Sequence, residues 1–154
     1  MSIQCLVSTS SPANFSPAVQ VAACYIQCGD KILFLQRPAT PKYNSCWGVP
    51  AGKLEPQEQP RAAGIREVFE ETQITIHDKD LQDVGKLYMR LPHLDYVYFM
   101  FCAQFDQCPT VTLNDEHEDF VWVMFTEALK LPLMPGAEEA LQFYKRFIDE
   151  TRTP

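Results

Sequence analysis

The feature that most constrains this chain is a group of three glutamates inside its most strongly predicted helix. Apolar residues recur at helical spacing from residue 57 to 72, with charged residues on the opposite face. Glu67, Glu70 and Glu71 stand at positions i, i+3 and i+4, so their carboxylates project from one face within about one turn. Like charges at this spacing repel by roughly a few tenths of a kcal/mol per pair. Stability alone therefore does not explain the cluster, although a solvated acidic helix face is the simpler alternative for such a short stretch.

A longer pattern surrounds these glutamates and weighs against that alternative. From Gly52 the chain reads GKLEPQEQPRAAGIREVFEETQI, with Glu58 six residues after Gly52 and Arg66 directly before Glu67. Carboxylates on one rigid face suit Mg²⁺ or Mn²⁺, and such ions neutralise charge at phosphorus and lower the pKa of a bound water. Gly52 lets a backbone carbonyl approach the cluster, and the Arg66 guanidinium is suited to orient Glu58. With ordinary residue frequencies the pattern would arise by chance on the order of once in a million chains.

This segment resembles the signature of the Nudix hydrolase family. The signature requires Gly, five residues, Glu, seven residues, Arg-Glu, an aliphatic residue, any residue, Glu-Glu, any residue, Gly and an aliphatic residue. Every position matches except the last Gly, where Gln73 stands. The flanks are also similar to the family, with a predicted hairpin before the segment and WGVPAG leading into it. Gln73 falls where the helix should end in a left-handed turn, so we expect a cost on the order of 1 kcal/mol there.

The resemblance implies a role for each matching residue. Metal ligands would be the side chains of Glu67, Glu70 and Glu71 and the carbonyl of Gly52, supported by Glu58 and Arg66. The implied cofactor is Mg²⁺ or Mn²⁺, bound by hard oxygen ligands. The departure at Gln73 concerns the end of the helix and not these ligands.

An acidic loop before the last predicted strand offers a further catalytic group. Residues 114–122 read NDEHEDFVW. In many Nudix enzymes a glutamate on this loop binds another metal or acts as the base, and Glu116 is the matching position. His117 is an alternative base, since imidazole is suited to proton transfer near neutral pH, and a purely structural polar loop is the other alternative. The sequence leaves open whether Glu71, Glu116 or His117 is the general base.

Substrate contacts are less constrained by the sequence. Arg37, Lys53 and Arg90 are candidates for contact with substrate phosphate, although a basic residue near an acidic site is as often an ion-pair partner. The aromatic residues that could stack on a base are Tyr25, Phe34, Tyr43, Tyr88, Tyr96 and Phe99. Most of them must belong to the core, because they alternate along predicted strands. The sequence therefore does not identify the substrate.

Charge and cysteine content narrow the class of protein. A net charge of −7 and a pI near 4.9 argue against long nucleic acid or an anionic membrane as the main partner. The N-terminus lacks the features of a signal peptide and no stretch is long and apolar enough to span a membrane, so we expect a cytoplasmic protein. The six cysteines form no CxxC pair, and we expect them to be reduced rather than bound to zinc or in disulfides.

The pattern of elements predicts one domain of the α+β class. Residues 1–17 are expected to be an extended or poorly ordered lead-in, with an edge strand around residues 3–7 as an alternative, and residues 18–154 to form the domain. Strands are predicted at 18–27, 31–37, 47–54, 75–76, 84–91, 95–105 and 120–125, and helices at 57–72 and 137–148. Strands and helices do not alternate regularly, so we expect a mixed sheet with helices packed on its faces. The resemblance refines this to a Nudix-like α-β-α sandwich, a fold in which homodimers are common.

The expected function is metal-dependent hydrolysis of a phosphoanhydride. Nucleoside triphosphates, split into monophosphate and pyrophosphate, are the first choice, because the chain is short and carries no obvious additional domain. ADP-ribose or another nucleoside diphosphate derivative is the alternative substrate. A catalytically silent module that only binds nucleotides is the alternative from a different class. That alternative predicts loss of the metal ligands, and none is lost here.

Overall fold

In the computed structural model, residues 3–41 and 43–152 are described, and their strands form one mixed sheet with helices on both faces. The strands are β1 (Leu6–Ser8), β2 (Pro17–Cys28), β3 (Lys31–Gln36), β4 (Trp47–Gly48), β5 (Ala51–Lys53), β6 (Gln82–Leu91), β7 (Leu94–Phe105) and β8 (Asp119–Met124). The helices are α1 (Pro60–Thr72), α2 (Phe125–Ala128) and α3 (Ala137–Thr151), and a single 3₁₀ turn spans Asp78–Asp80. The predicted α+β class is confirmed.

The strand β2 lies at the centre of the sheet and organises it. The strand order is β1-β6-β7-β2-β3-β4, with β5 also paired to β2 and β8 also paired to β3. β2 runs parallel to β7, whereas the other paired strands are antiparallel. Val21 to Ala23 of β2 pair with β5, and only its last two residues, Gln27 and Cys28, pair with β3. The long strand β2 thus pairs both with β5 and with β7, the second strand of the β6–β7 hairpin.

Alternation along β2 divides the core into two layers. Ala22, Cys24 and Ile26 face α1, in a cluster that also contains Ala63 and Val68 of that helix. Tyr25 faces the opposite side, where it packs with residues of α3, namely Ala140, Leu141, Tyr144 and Ile148. Because successive side chains of a strand point to opposite faces, a single apolar strand supplies both layers. The result is an α-β-α sandwich.

Most predicted elements are confirmed, with three differences. The helix predicted from residue 57 begins at Pro60, because Gln57 has a left-handed backbone (φ 66°) and Gln59, directly before the proline, is extended. The strand predicted at Thr75 and Ile76 is absent from the described chain, where residues 73–77 are irregular. Ile74 and Ile76 are buried and Thr75 is exposed. The alternation of apolar and polar residues here therefore reflects which side chains are buried, and it does not indicate a strand. The short helix α2 was not predicted.

The lead-in is partly built into the sheet. β1 pairs with β6 in the antiparallel register Val7 to Met89, close to the position considered for an edge strand. Further along, the Phe15 ring packs edge-on against Tyr88, with ring centroids 5.3 Å apart. Residues 1 and 2 of the predicted lead-in lie outside the described residues. Across the part of the chain that is described, no helix combines the length and apolarity needed to cross a membrane.

The cysteines depart from the prediction in one place. Cys28, at the end of β2, forms a disulfide with Cys108, 80 residues further along, and their Cα atoms are 5.2 Å apart. The prediction that all six cysteines are reduced is therefore wrong for this pair. Cys24 and Cys102 are free and buried, as expected for thiols that pack as small apolar side chains. The disulfide attaches the segment between β7 and β8 to the central strand.

The end of α1 adopts the left-handed turn expected at Gln73. Its φ is 63°, and its N–H donates to the Phe69 carbonyl. We expect Gln73→Gly to raise the free energy of unfolding by up to about 1 kcal/mol, because glycine adopts this conformation without steric cost. Urea denaturation monitored by circular dichroism would measure the change. The matched variant Gln142→Gly, at an exposed site inside α3, should instead lower it by about 1 kcal/mol. A destabilised Gln73→Gly protein would contradict the assigned turn.

Candidate active site

The most unusual side chain in the molecule is the carboxyl group of Glu71. It lies on the inner face of α1 and is 1% exposed. One oxygen, Oε1, accepts a hydrogen bond from the Ala51 N–H of β5 at 3.2 Å. The other, Oε2, is buried with no hydrogen-bond partner within the described chain. A buried oxygen without a partner costs free energy, so a compensating ligand is indicated.

The surroundings of Glu71 favour its protonated form. Burial raises the pKa of Glu71 well above its usual range, and the adjacent carboxyl group of Glu67 raises it further. The charge of Glu116 acts in the same direction, so the loop before β8 lies close enough to influence this carboxyl group. A bound cation would reverse these effects by favouring the ionised form.

Gly52 provides the closest approach between β5 and α1. A Cβ atom at Gly52 would lie 2.0 Å from Cδ of Glu67, far inside any real contact. The backbone of β5 therefore passes directly over the Glu67 carboxyl group, and only glycine leaves space for it. Ala51 and Lys53, its neighbours on β5, line a cleft on the other side of the sheet. Because successive residues of a strand face opposite sides, the carboxylate cluster and that cleft lie on opposite faces of the same short strand.

Arg66 connects the acidic groups of the signature segment. Its Nε and Nη2 donate to both oxygens of Glu58 at 2.8 Å each. Nη1 donates to Glu67 at 2.9 Å and to Glu70 at 3.2 Å. Nη2 also donates to the Lys53 carbonyl at 3.2 Å. The guanidinium thus connects the loop after β5 with the face of α1, the geometry for which a planar fork is suited.

The same pair fixes the charge of Glu58. Hydrogen bonds from Arg66, and then from the Glu55 N–H, lower the pKa of Glu58 to about 2. Glu58 is therefore ionised throughout the physiological range and acts as a permanent partner for the guanidinium.

We expect Arg66→Lys to destabilise the protein by about 1–3 kcal/mol, because an ammonium cannot replace the paired hydrogen bonds to Glu58. Chemical denaturation of the metal-free protein would measure this change. Arg146→Lys, at an exposed position of α3, is the matched control and should change stability by less than about 0.5 kcal/mol. Equal effects of the two variants would contradict the bridging role of Arg66.

The loop before β8 places its two candidate bases in different environments. Glu116 is exposed, and its N–H donates to Oδ1 of Asn114 at 3.1 Å. His117 is 8% exposed, and its Nδ1 is buried without a partner in the described chain. Burial, together with the charge of Arg37, lowers the pKa of His117 to about 4. An imidazole with this pKa is no stronger a base than an ordinary carboxylate, so burial removes the advantage that imidazole usually has near neutral pH.

The carboxylates fit a divalent cation on two observations. Oε2 of Glu71 is a buried oxygen without a hydrogen-bond partner in the described part of the chain, and the β5 backbone at Gly52 lies against Glu67 where a side chain would block it. In the side-chain arrangement of the described residues, no three His, Cys, Asp or Glu groups converge as ligands. Arg66 instead draws Glu67 and Glu70 toward its Nη1. Hard oxygen donors of this kind suit Mg²⁺ or Mn²⁺.

A cleft of about 220 Å³ opens beside β5, between the sheet and the start of α3. Two of the three basic residues predicted to contact phosphate, Arg37 and Lys53, line it. Arg90 does not line it and instead forms a paired ion bridge to Asp95, at 2.9 and 3.1 Å. Arg37 and Lys53 therefore lie at the cleft, whereas Arg90 stabilises the β6–β7 hairpin.

The aromatic candidates divide in the same way. Those that line the cleft are Tyr25, Phe34, Tyr43 and Tyr96. Tyr88 and Phe99 do not line it. Two parts of the cleft were not predicted from the sequence: Tyr98, and the aliphatic wall formed by residues such as Val19 and Val21. The alternation of odd-numbered residues along β2 was the available signal, since these side chains share one face.

The chain is similar to known proteins in both sequence and fold. A sequence profile of the NUDIX domain matches residues 17–147. The CTP pyrophosphohydrolase of Escherichia coli K12 is 33% identical over 120 residues, which cover 77% of this chain and 84% of that protein. The uncharacterized Nudix hydrolase YvcI of Bacillus subtilis is 30% identical over 126 residues, covering 80% and 77%. The solution structure of the E. coli ORF135 protein is similar with a TM-score of 0.73 at 27% identity, covering 88% of this chain and 94% of that one.

Proposed function

The chain belongs to the Nudix hydrolase family, whose members act on phosphoanhydrides, and from that premise we propose that it splits nucleoside triphosphates into monophosphate and pyrophosphate with Mg²⁺ or Mn²⁺. The observation that carries this proposal is Oε2 of Glu71, which is buried without a hydrogen-bond partner among the residues that the structure describes, together with the close approach of Gly52 to the Glu67 carboxyl group. The similarity to the CTP pyrophosphohydrolase of E. coli supports a nucleoside triphosphate as the substrate.

The proposed metal ligands are Glu67, Glu70, Glu71 and the carbonyl of Gly52, with Glu116 as a ligand from the loop. Mg²⁺ or Mn²⁺ bound there would neutralise charge at the reacting phosphoryl group and lower the pKa of a coordinated water. Arg66 fixes the position of α1 relative to the loop after β5 through its contacts with Glu58 and the Lys53 carbonyl.

The proton of the attacking water is accepted by Glu71 or Glu116 in this proposal. Both are carboxyl groups, and the charge of Glu116 contributes to raising the pKa of Glu71. Lys53 and Arg37 line the cleft and offset the negative charge of the polyphosphate. Phosphoryl transfer passes through a loose transition state, so positioning and charge neutralisation supply most of the acceleration.

The test is a release assay on nucleoside triphosphates, ADP-ribose, dinucleoside polyphosphates and nucleotide sugars, each with Mg²⁺, with Mn²⁺ and with EDTA. We expect metal-dependent turnover of the triphosphates, with pyrophosphate as one product. Activity lost to EDTA should return when metal is added back. Turnover confined to ADP-ribose or another diphosphate derivative would overturn the substrate assignment. No turnover of any compound, with nucleotide still bound in calorimetry, would establish the silent binding module.

A further inference from the structure

Given the proposed function, on which this inference rests, we propose that the cleft holds the nucleobase and recognises it by shape and by two tyrosine hydroxyl groups. The enzyme then discriminates only weakly among the four bases. The chemical reason lies in what lines the cleft. Among the described residues there, none is Asp, Glu, Asn or Gln. These are the side chains whose fixed donor and acceptor patterns most readily distinguish one base edge from another.

The charged and aliphatic side chains that line the cleft carry little information about the base edge. Arg37 and Lys53 are the only charged side chains among the described lining residues, and both suit phosphate. Aliphatic side chains, including Val21 and Leu94, supply much of the remaining wall. Apolar contacts of this kind favour the faces of any base and carry little information about its edge. With both cations engaged by phosphate, base-specific hydrogen bonds would have to come from the tyrosines or the backbone.

Tyr25 and Tyr98 are the tyrosines best fixed for this task. Their hydroxyl oxygens are 3.5 Å apart, and either can donate to the other. The Tyr25 ring is held by stacking on Tyr144, with centroids 4.5 Å apart. A phenol is both donor and acceptor, and its hydrogen rotates to suit its partner. The pair can therefore accept from an amino group or donate to a carbonyl, so it accommodates different base edges.

The strand register relates these hydroxyls to the phosphate end of the site. Val21 of β2 pairs with Lys53 of β5 on one side and with Tyr98 of β7 on the other. The three residues form one row across the sheet, so Lys53 and Tyr98 stand two strand spacings apart, roughly 10 Å. A phosphate beside Lys53 and a base beside Tyr98 leave room for the ribose between them. Gly52 is next to Lys53 on β5, so the carboxylate cluster lies at the same end of this row, on the opposite face of the strand.

The first test is the value of kcat/KM for ATP, GTP, CTP and UTP with Mg²⁺. Shape alone discriminates by about 10–200-fold, whereas a site built to hydrogen-bond one ligand rejects others by about 10⁴–10⁵. We expect all four values to lie within about a hundredfold. A preference for one base larger than this would overturn this inference while leaving the proposed hydrolysis intact.

The variant Tyr98→Phe tests the hydroxyl pair. It should lower kcat/KM for all four triphosphates by about three- to tenfold, the loss expected for one hydrogen bond. Tyr88→Phe is the matched control, because Tyr88 packs against Phe15 and does not line the cleft. We expect it to leave kcat/KM unchanged. An effect of Tyr98→Phe on a single base, or on none, would refute the shared role of the hydroxyls.

Binding of the four nucleoside monophosphates, measured by calorimetry, separates this inference from the proposed function. Similar Kd values without turnover of any triphosphate would contradict hydrolysis and support the cleft assignment. Turnover of triphosphates together with binding of one monophosphate only would contradict the cleft assignment alone. The absence of both turnover and binding would overturn both.

Discussion

Replacing Glu71 by glutamine is expected to lower kcat by about 10²–10⁴-fold, the range associated with loss of a positioned acid–base group. Glutamine preserves the size of the side chain and its hydrogen bond with the Ala51 N–H, but it cannot accept a proton or supply a charged ligand. Turnover of the best triphosphate at saturating Mg²⁺ would measure the effect. Full turnover by Glu71→Gln would show that this face of α1 is not the catalytic centre.

The same substitution should stabilise the metal-free protein at alkaline pH. Burial raises the pKa of Glu71 in the folded state, so folding favours the protonated carboxyl. This contribution is fully present below the ordinary glutamate pKa of about 4.5 and is lost as pH rises toward the raised pKa. Glutamine resembles the protonated form at every pH. At pH 8 in EDTA we expect Glu71→Gln to unfold with a free energy higher by on the order of 1–5 kcal/mol.

The control for both measurements is Glu150→Gln, an exposed position near the end of α3. It should leave kcat unchanged and should not alter the dependence of stability on pH. If wild-type stability in EDTA did not decline between pH 5 and 8 relative to Glu71→Gln, the burial of an ionisable carboxyl group at this position would be contradicted.

Gly52→Ala is expected to lower kcat by at least about a hundredfold and to destabilise the protein by about 1–3 kcal/mol. The new Cβ would stand 2.0 Å from the Glu67 carboxyl carbon, so either β5 or the side chain must move. Either movement displaces the groups proposed to hold the metal. Steady-state kinetics and urea denaturation would measure the two effects. A variant with normal stability and normal kcat would exclude this close approach.

Gly64→Ala is the matched control for Gly52→Ala. Gly64 lies inside α1, and a Cβ there would meet its nearest atom, on the Phe101 ring, at 3.4 Å, an ordinary contact. Alanine is also favoured over glycine within a helix by about 1 kcal/mol. Gly64→Ala should therefore be neutral or slightly stabilising and should retain activity, which separates the effect of crowding from that of losing any buried glycine.

The parts of the site that follow from local geometry were predictable from the sequence. The three glutamates share a face because helical spacing determines it. The positive φ at Gln73 was expected because the signature has glycine at this position. Burial of Glu71 was not predictable in the same way. It depends on how β5 packs on α1, and the position of β5 is determined by pairing with β2, about thirty residues earlier.

Other features lay outside the reach of sequence patterns. The Cys28–Cys108 disulfide joins residues 80 apart, a separation that no local spacing reveals. The cleft combines side chains from β2, β7 and the start of α3, and their meeting is a property of strand order. Arg37 and Arg90 look alike as isolated basic residues. Only the hairpin pairing that places Asp95 opposite Arg90 distinguishes them.

The division of β2 into two faces has a consequence for how such a chain can diversify. Ala22, Cys24 and Ile26 support α1, whereas Val19 and Val21 form part of the cleft wall. A substitution at Val19 or Val21 reshapes the cleft without disturbing the packing beneath the carboxylates. Over generations, descendants of this chain can therefore acquire new ligand preferences through changes on one face, while inherited reactivity is retained on the other.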